Sequence, residues 1–190
     1  MLTWAATEVM SEPAHRLPVL GVLGPGLGMP RLEGVAEQVG EVAARAGWVV
    51  LTGGGPGVMA AACRGAVAAG GLTVGIIPTS MPVEGYPNLW VRLAIYTGAG
   101  MARNAFNVLS ANLCVAIGGG PGTLSEIALA LKAGVPVWAW DSWSLDPPDG
   151  TSYPVPRVFA SSDELLDALR AELVLEEPSG SFFSPTSTPG

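Results

Sequence analysis

The pentapeptide Gly-Gly-Gly-Pro-Gly occurs twice in this chain, at Gly53–Gly57 and at Gly118–Gly122. Each copy follows a short apolar run and precedes an Ala-rich stretch with apolar residues three and four apart. Such a segment is the joint between a buried strand and an amphipathic helix, so its repetition restricts the chain to βαβ architecture. The periodicity predicts strands over Pro18–Gly24, Trp48–Thr52, Leu72–Pro78, Leu89–Tyr96, Leu113–Ile117, Val135–Trp140 and Pro156–Ala160. It predicts helices over Arg31–Ala46, Pro56–Ala69, Met101–Asn112, Pro121–Ala133 and Ser162–Leu173. Short connections between parallel strands force right-handed crossovers, so the expected fold is a Rossmann-like, doubly wound, mainly parallel sheet flanked by helices. One domain is expected over residues 1–175, with a Pro/Ser/Gly-rich mobile tail at 176–190.

Ligands of such folds sit beyond the carboxyl ends of the strands. Two more strands there end in glycine-bearing loops, Gly24–Pro30 and Thr97–Asn104. A helix start exposes unpaired amides and a partial positive charge, and glycine lets an oxyanion approach the backbone. Pro121 and Pro56 suit the first helical positions, where an N–H would be unpaired anyway. Gly24, Gly26, Gly53, Gly54, Gly55, Gly57, Gly118, Gly119, Gly120, Gly122 and Thr123 are therefore the candidate phosphate-binding residues, joined by Arg103 and Asn104.

Composition restricts the guest. Sixteen acidic residues against nine basic ones give a net charge of -7, which gives no general drive toward nucleic acid or anionic membranes. A small anion needs a local positive site instead. The N-terminal stretch has no basic, uninterrupted apolar leader, so a cytoplasmic location is expected. With His15 the one histidine and Cys63 and Cys114 each inside an apolar element, no structural metal is expected. Walker A chemistry requires a lysine after the glycine loop, whereas Lys132, the chain's one lysine, lies at the far end of a helix. The first strand is followed by Gly24-Pro-Gly-Leu-Gly28, a poor match to the GxGxxG spacing, so NAD is not expected.

Gly119-Gly120-Pro121-Gly122-Thr123-Leu124-Ser125-Glu126 resembles the GGxGTxxE signature of the LOG-like superfamily, long mislabelled "lysine decarboxylase". Met101-Ala102-Arg103 resembles its companion arginine motif, and Gly53–Met59 its first glycine loop. The GGGxGTxSE form is closest to the branch containing molybdenum-cofactor carrier proteins. That resemblance implies binding of a phosphorylated small molecule, with molybdopterin as ligand and molybdoenzymes as partners. It also implies an alternative, a phosphoribohydrolase cleaving a nucleoside 5′-monophosphate, in which Arg103 orients the nucleotide and Glu126 is the catalytic carboxylate. Asn104 stands where phosphoribohydrolases carry a second basic residue, Gly118 where they carry proline, and Ser125-Glu126 where they carry paired acids. Pyridoxal-phosphate chemistry is not expected, because Lys132 at a helix end complements the dipole there.

Glu126 admits two readings. Thr123-Leu-Ser-Glu126 fits a capping box, and the same carboxylate fits a ligand-facing role. Arg103 in the first turn of a helix opposes the macrodipole, a local cost that a phosphate or a pairing with Glu126 would offset. The stretch Val58–Gly71, rich in Ala and Gly, predicts close approach of another helix and hence a dimer or dimer of dimers. Glu84 and the aromatics Trp138, Trp140 and Trp143 are secondary candidates, with exposure to water and core packing as their simpler roles.

Overall fold

The computed structural model describes residues 16–147 and 152–173. The segment through His15, residues 148–151 of the irregular insertion and the expected mobile tail lie outside the described residues. In chain order the elements are β1 (Val19–Leu23), α1 (Pro30–Arg45), β2 (Val49–Thr52), α2 (Val58–Ala68), β3 (Thr73–Ile77), β4 (Leu93–Tyr96), a 3-10 turn (Gly100–Ala102), α3 (Arg103–Leu109), β5 (Leu113–Ile117), α4 (Pro121–Lys132), β6 (Val137–Trp140), β7 (Arg157–Phe159) and α5 (Ser162–Glu172). The seven strands form one sheet in the order β4-β3-β2-β1-β5-β6-β7, and every pairing is parallel. The expected Rossmann-like fold is therefore what the chain adopts.

Alternation along the central strands divides the core. Leu20, Val22, Leu113, Val115 and Ile117 face a cluster built with α1, α2 and α5. Leu23, Cys114 and Ala116 face the other side, where Val108 of α3 and Ile127 of α4 cover them. The chain leaves β1 toward one face and β5 toward the other, and these two strands are neighbours. Their carboxyl-end loops thus diverge and open a crevice, the switch point where such folds bind ligands.

Two boundaries differ from the sequence expectation for visible reasons. The fourth strand begins at Leu93 rather than Leu89, because the Thr73 hydroxyl donates to the Trp90 carbonyl at 2.6 Å and accepts from the Arg92 N–H at 2.9 Å. The third helix stops at Leu109, and Asn112 instead bonds to both backbone groups of Val19 at 2.9 Å.

The small-residue face of α2 has its partner within the chain. A Cβ on Gly65 would collide with the Glu37 carbonyl, and one on Gly40 with the Ala62 carbonyl, so α1 and α2 touch backbone to backbone. Arg64 clamps the pair through two bonds to the Glu37 carboxylate, at 3.0 and 2.8 Å. This corrects the ground on which self-association was expected: the close approach is intramolecular. Among the described residues no helix is long and apolar enough to cross a membrane.

Candidate functional site

At the switch point a cavity of about 300 Å³ is lined by Gly24, Pro25, Gly26, Met59, Tyr86, Arg103, Asn104, Gly120, Gly122, Thr123 and Glu126. Eight sequence candidates thus meet here. Gly53, Gly54, Gly55, Gly57, Gly118 and Gly119 are not among the residues that line it.

The two glycine loops differ in how far the protein fills them. In the first, the Arg103 guanidinium occupies the place where a Gly53 Cβ would go, the Ile77 side chain that of Gly54, and the Tyr86 hydroxyl that of Gly55. Several of its polar groups are engaged as well. The Gly54 N–H donates to the Thr52 hydroxyl at 3.0 Å, Asn88 holds the Gly54 and Gly55 carbonyls at 2.8 and 2.9 Å, and the Val58 N–H donates to the Pro25 carbonyl. In the second loop the Leu32 and Trp143 side chains occupy the places of a Gly118 and a Gly119 Cβ, but Gly120 and Gly122 have no heavy atom within 4 Å of a would-be Cβ. Gly120 precedes the first turn of α4, which starts at Pro121 and receives no side-chain cap. The amides at the start of α4 therefore face open space with the partial positive charge of the helix behind them.

Supports hold this open loop in place. The Gly118 N–H donates to the Trp140 carbonyl at 3.1 Å, and the Trp143 indole donates to the Gly120 carbonyl at 3.2 Å. Trp143 reaches the loop from the turn at Asp141, whose φ of 50° lies in the left-handed region that Asp tolerates. An ion pair at 2.6 Å ties Asp141 to Arg31 of α1. Below the loop, Asn104 donates to the Ser125 hydroxyl at 2.8 Å, which donates in turn to the Gly122 carbonyl at 2.7 Å. Trp138 and Trp140 belong to the core, and Glu84 is exposed.

Glu126 is not a cap. Because α4 starts at Pro121, Thr123 already lies inside the first turn, and the Glu126 side chain is turned toward α3. Its Oε1 accepts from Arg103 Nη1 at 3.2 Å and from Asn107 Nδ2 at 2.7 Å. Only 7% of Glu126 is exposed, and burial raises its pKa against the opposing effects of the Asn107 hydrogen bond and the Arg103 charge. The neighbouring Cys114 thiol is pushed up to about 12 by burial and by the charge of Glu126, so it stays neutral. Asn107 and Tyr86 were missed in the sequence. For Asn107 the available signal was the four-residue interval from Arg103, which puts both on one face of a helix.

A second, larger hollow of about 840 Å³ adjoins the cavity and shares Tyr86, Arg103, Asn104 and Gly122 with it. Its remaining walls include Pro78, Met101, Ala105, Pro121 and Leu129, which are apolar. A polar seat thus continues into an apolar shelf.

The model of the SLOG cluster4 family matches residues 17–161, which include both glycine loops and the Arg103–Glu126 pair. The chain belongs to this family. It is 40% identical over 119 residues to an uncharacterized protein of Archaeoglobus fulgidus, covering 63% of this chain and 77% of that protein. Among solved structures, the molybdenum cofactor binding protein of the phototrophic bacterium Rippkaea orientalis is 40% identical with a TM-score of 0.64, covering 85% of this chain and 89% of that one. The molybdenum cofactor carrier protein of Chlamydomonas reinhardtii is 35% identical with a TM-score of 0.66, covering 82% and 98%. The resemblance to the LOG-like superfamily and its carrier branch therefore holds for this SLOG protein.

Proposed function

We propose that this SLOG protein carries a phosphorylated small molecule, the molybdenum cofactor, with its terminal phosphate seated at Gly120–Thr123. The observation that carries this reading is the uncapped, open start of α4 beside Arg103, set against a first glycine loop that has no space to offer. Arg103 and Glu126 neutralise each other, so the attraction for the phosphate comes from the helix start and its amides. The pterin would lie across the carboxyl ends of the strands toward the apolar shelf. The solved relatives at 35–40% identity bind or carry this cofactor by name, which supports the same cargo here. Retention, and no turnover, is the activity this reading requires.

The decisive experiment incubates purified protein with cofactor released from a molybdoenzyme and measures how long the mixture can still reconstitute a cofactor-free molybdoenzyme. Prolonged protection that is lost in Gly122→Asp supports the carrier. Decay at the rate of free cofactor contradicts it.

One observation favours a second reading. A buried carboxyl with a raised pKa inside a cavity is what a general acid or base requires, so Glu126 could serve N-glycosidic hydrolysis. Release of free base from AMP, abolished in Glu126→Gln, would establish that activity. Self-association is proposed through β4 and α3 instead of α2, since Leu93, Ile95, Phe106 and Leu109 leave a large apolar surface exposed there. Light scattering on Phe106→Glu, with a monomer expected, tests it.

A further inference from the structure

We infer that Tyr86 is a specificity-determining residue of the crevice: its ring receives a planar group joined to the seated phosphate and discriminates against a puckered one. This rests on the anion seat at Gly120–Thr123. Tyr86 belongs to the long connection between β3 and β4, residues 78–92, which leaves the carboxyl end of β3 and lends Pro78 and Tyr86 to the walls of the crevice. Within that connection Val83 and Tyr86 exchange both backbone hydrogen bonds at 2.9 Å, closing a tight turn in which Gly85 takes a φ of 78°.

The first glycine loop holds this turn. Asn88 grips the Gly54 and Gly55 carbonyls through its backbone N–H and its side-chain amide, at 2.8 and 2.9 Å. The Tyr86 Oη and Cε1 lie 2.7 and 2.9 Å from the position a Gly55 Cβ would take, so any side chain there would push the ring away. The absence of a Cβ thus makes Gly55 a socket for an aromatic side chain. Held by its backbone on one side and at its tip on the other, the ring is ordered before a guest arrives, and a preordered surface costs less to bind against.

Among the described residues Tyr86 is the one aromatic side chain lining either the hollow that holds the seat or the larger hollow beside it, and it lines both. A guest whose phosphate fills the smaller hollow extends into the larger one across the wall the two share. Tyr86, Arg103, Asn104 and Gly122 make up that wall. Arg103 is paired with Glu126, Asn104 is bonded to Ser125, and Gly122 has no side chain. The ring of Tyr86 is therefore the apolar surface the guest meets first. Aromatic rings gain most from a flat partner, stacked with an offset or meeting edge to face, whereas a puckered ring of the same size touches them at fewer atoms.

The test titrates phenyl phosphate and cyclohexyl phosphate, which share the phosphate and ring size and differ in planarity, into the wild type, Tyr86→Phe and Tyr86→Leu by calorimetry. The ratio of the two affinities is the readout, because it cancels what a substitution does to the seat itself. Phenyl phosphate should be preferred about fivefold in the wild type and in Tyr86→Phe, which keeps the ring, and about twofold or less in Tyr86→Leu. In wild-type protein with labelled tyrosine rings, NOEs should connect the bound phenyl protons to the Tyr86 ring, a readout that needs no variant to fold. With inorganic phosphate still bound by the wild type, three results each overturn the role of Tyr86 alone: no preference in the wild type, a preference that survives in Tyr86→Leu, or bound phenyl phosphate without those NOEs. Failure of inorganic phosphate itself to bind overturns the seat beneath it.

Discussion

The two Gly-Gly-Gly-Pro-Gly loops are identical in composition and differ in how far the protein itself fills them. At Gly53–Gly57 the space the glycines release is filled by the protein itself, by Arg103, Ile77 and Tyr86. At Gly118–Gly122 the same residues leave Gly120 and Gly122 open to the cavity. The first loop seats the protein's own cation; the second is where we propose that the anion of a guest sits. A glycine-rich turn at a helix start is thus a licence for close approach, and the surrounding chain decides what approaches. Arg103 links the two, lying against Gly53 while its Nη1 reaches Glu126.

If that contrast is real, substitutions should separate the loops by stability on one side and binding on the other. The largest effect is expected at Gly57, where φ is 64° and a Cβ would meet the Pro25 carbonyl oxygen at 2.6 Å. Gly57→Ala should lose about 3 kcal/mol or more in urea unfolding, since strain and collision with rigid backbone act together. Arg103→Met comes next. It leaves Glu126 buried without its cation and should cost about 2 kcal/mol at pH 8, with the loss shrinking at lower pH as the carboxyl takes up a proton. Gly122→Asp puts a negative side chain at the open seat and should weaken phosphate binding by about tenfold or more, or about 1.4 kcal/mol, while the melting temperature stays close to wild type.

Smaller still is the pH effect of Glu126. Burial favours its protonated form in the folded chain, so the folded carboxyl keeps its proton above the ordinary value of 4.5. Over that window the folded state binds more protons than the unfolded one, and stability falls as pH rises. Glu126→Gln should remove this decline in a series of melts from pH 4 upward; an unchanged slope would mean that the carboxyl is not held as described. The smallest change is expected for Gly122→Ala, within about 0.5 kcal/mol in stability, because nothing in the chain occupies the space of its Cβ.

Much of this was legible in the sequence, because strand and helix periods are local. The runs at Val19–Leu23 and Leu113–Ile117 are apolar over their full length, as strands covered on both faces require. The glycine loops and the Glu126–Arg103 candidates could be named, since their chemistry lies in residue type and spacing. What could not be read was the occupant of each loop. Ile77, Tyr86 and Arg103 reach the first loop from three other parts of the chain, through adjacencies that exist only once β2, β3 and α3 are assembled. The capping box failed because Pro121 moves the helix start two residues ahead of Thr123. The ground for expecting association through α2 did not hold, because a surface of small residues says that something approaches closely, without saying whether it is the same chain.

The central claim, that the second loop alone receives an anion, is most directly tested by titrating inorganic phosphate into 15N-labelled protein and following the backbone amides. The amides of Gly120, Gly122 and Thr123 should shift together with one saturating isotherm while those of Gly53–Gly57 stay in place. Saturable shifts centred on Gly53–Gly57, or none in the second loop at phosphate concentrations that saturate any binding seen by calorimetry, would contradict the account.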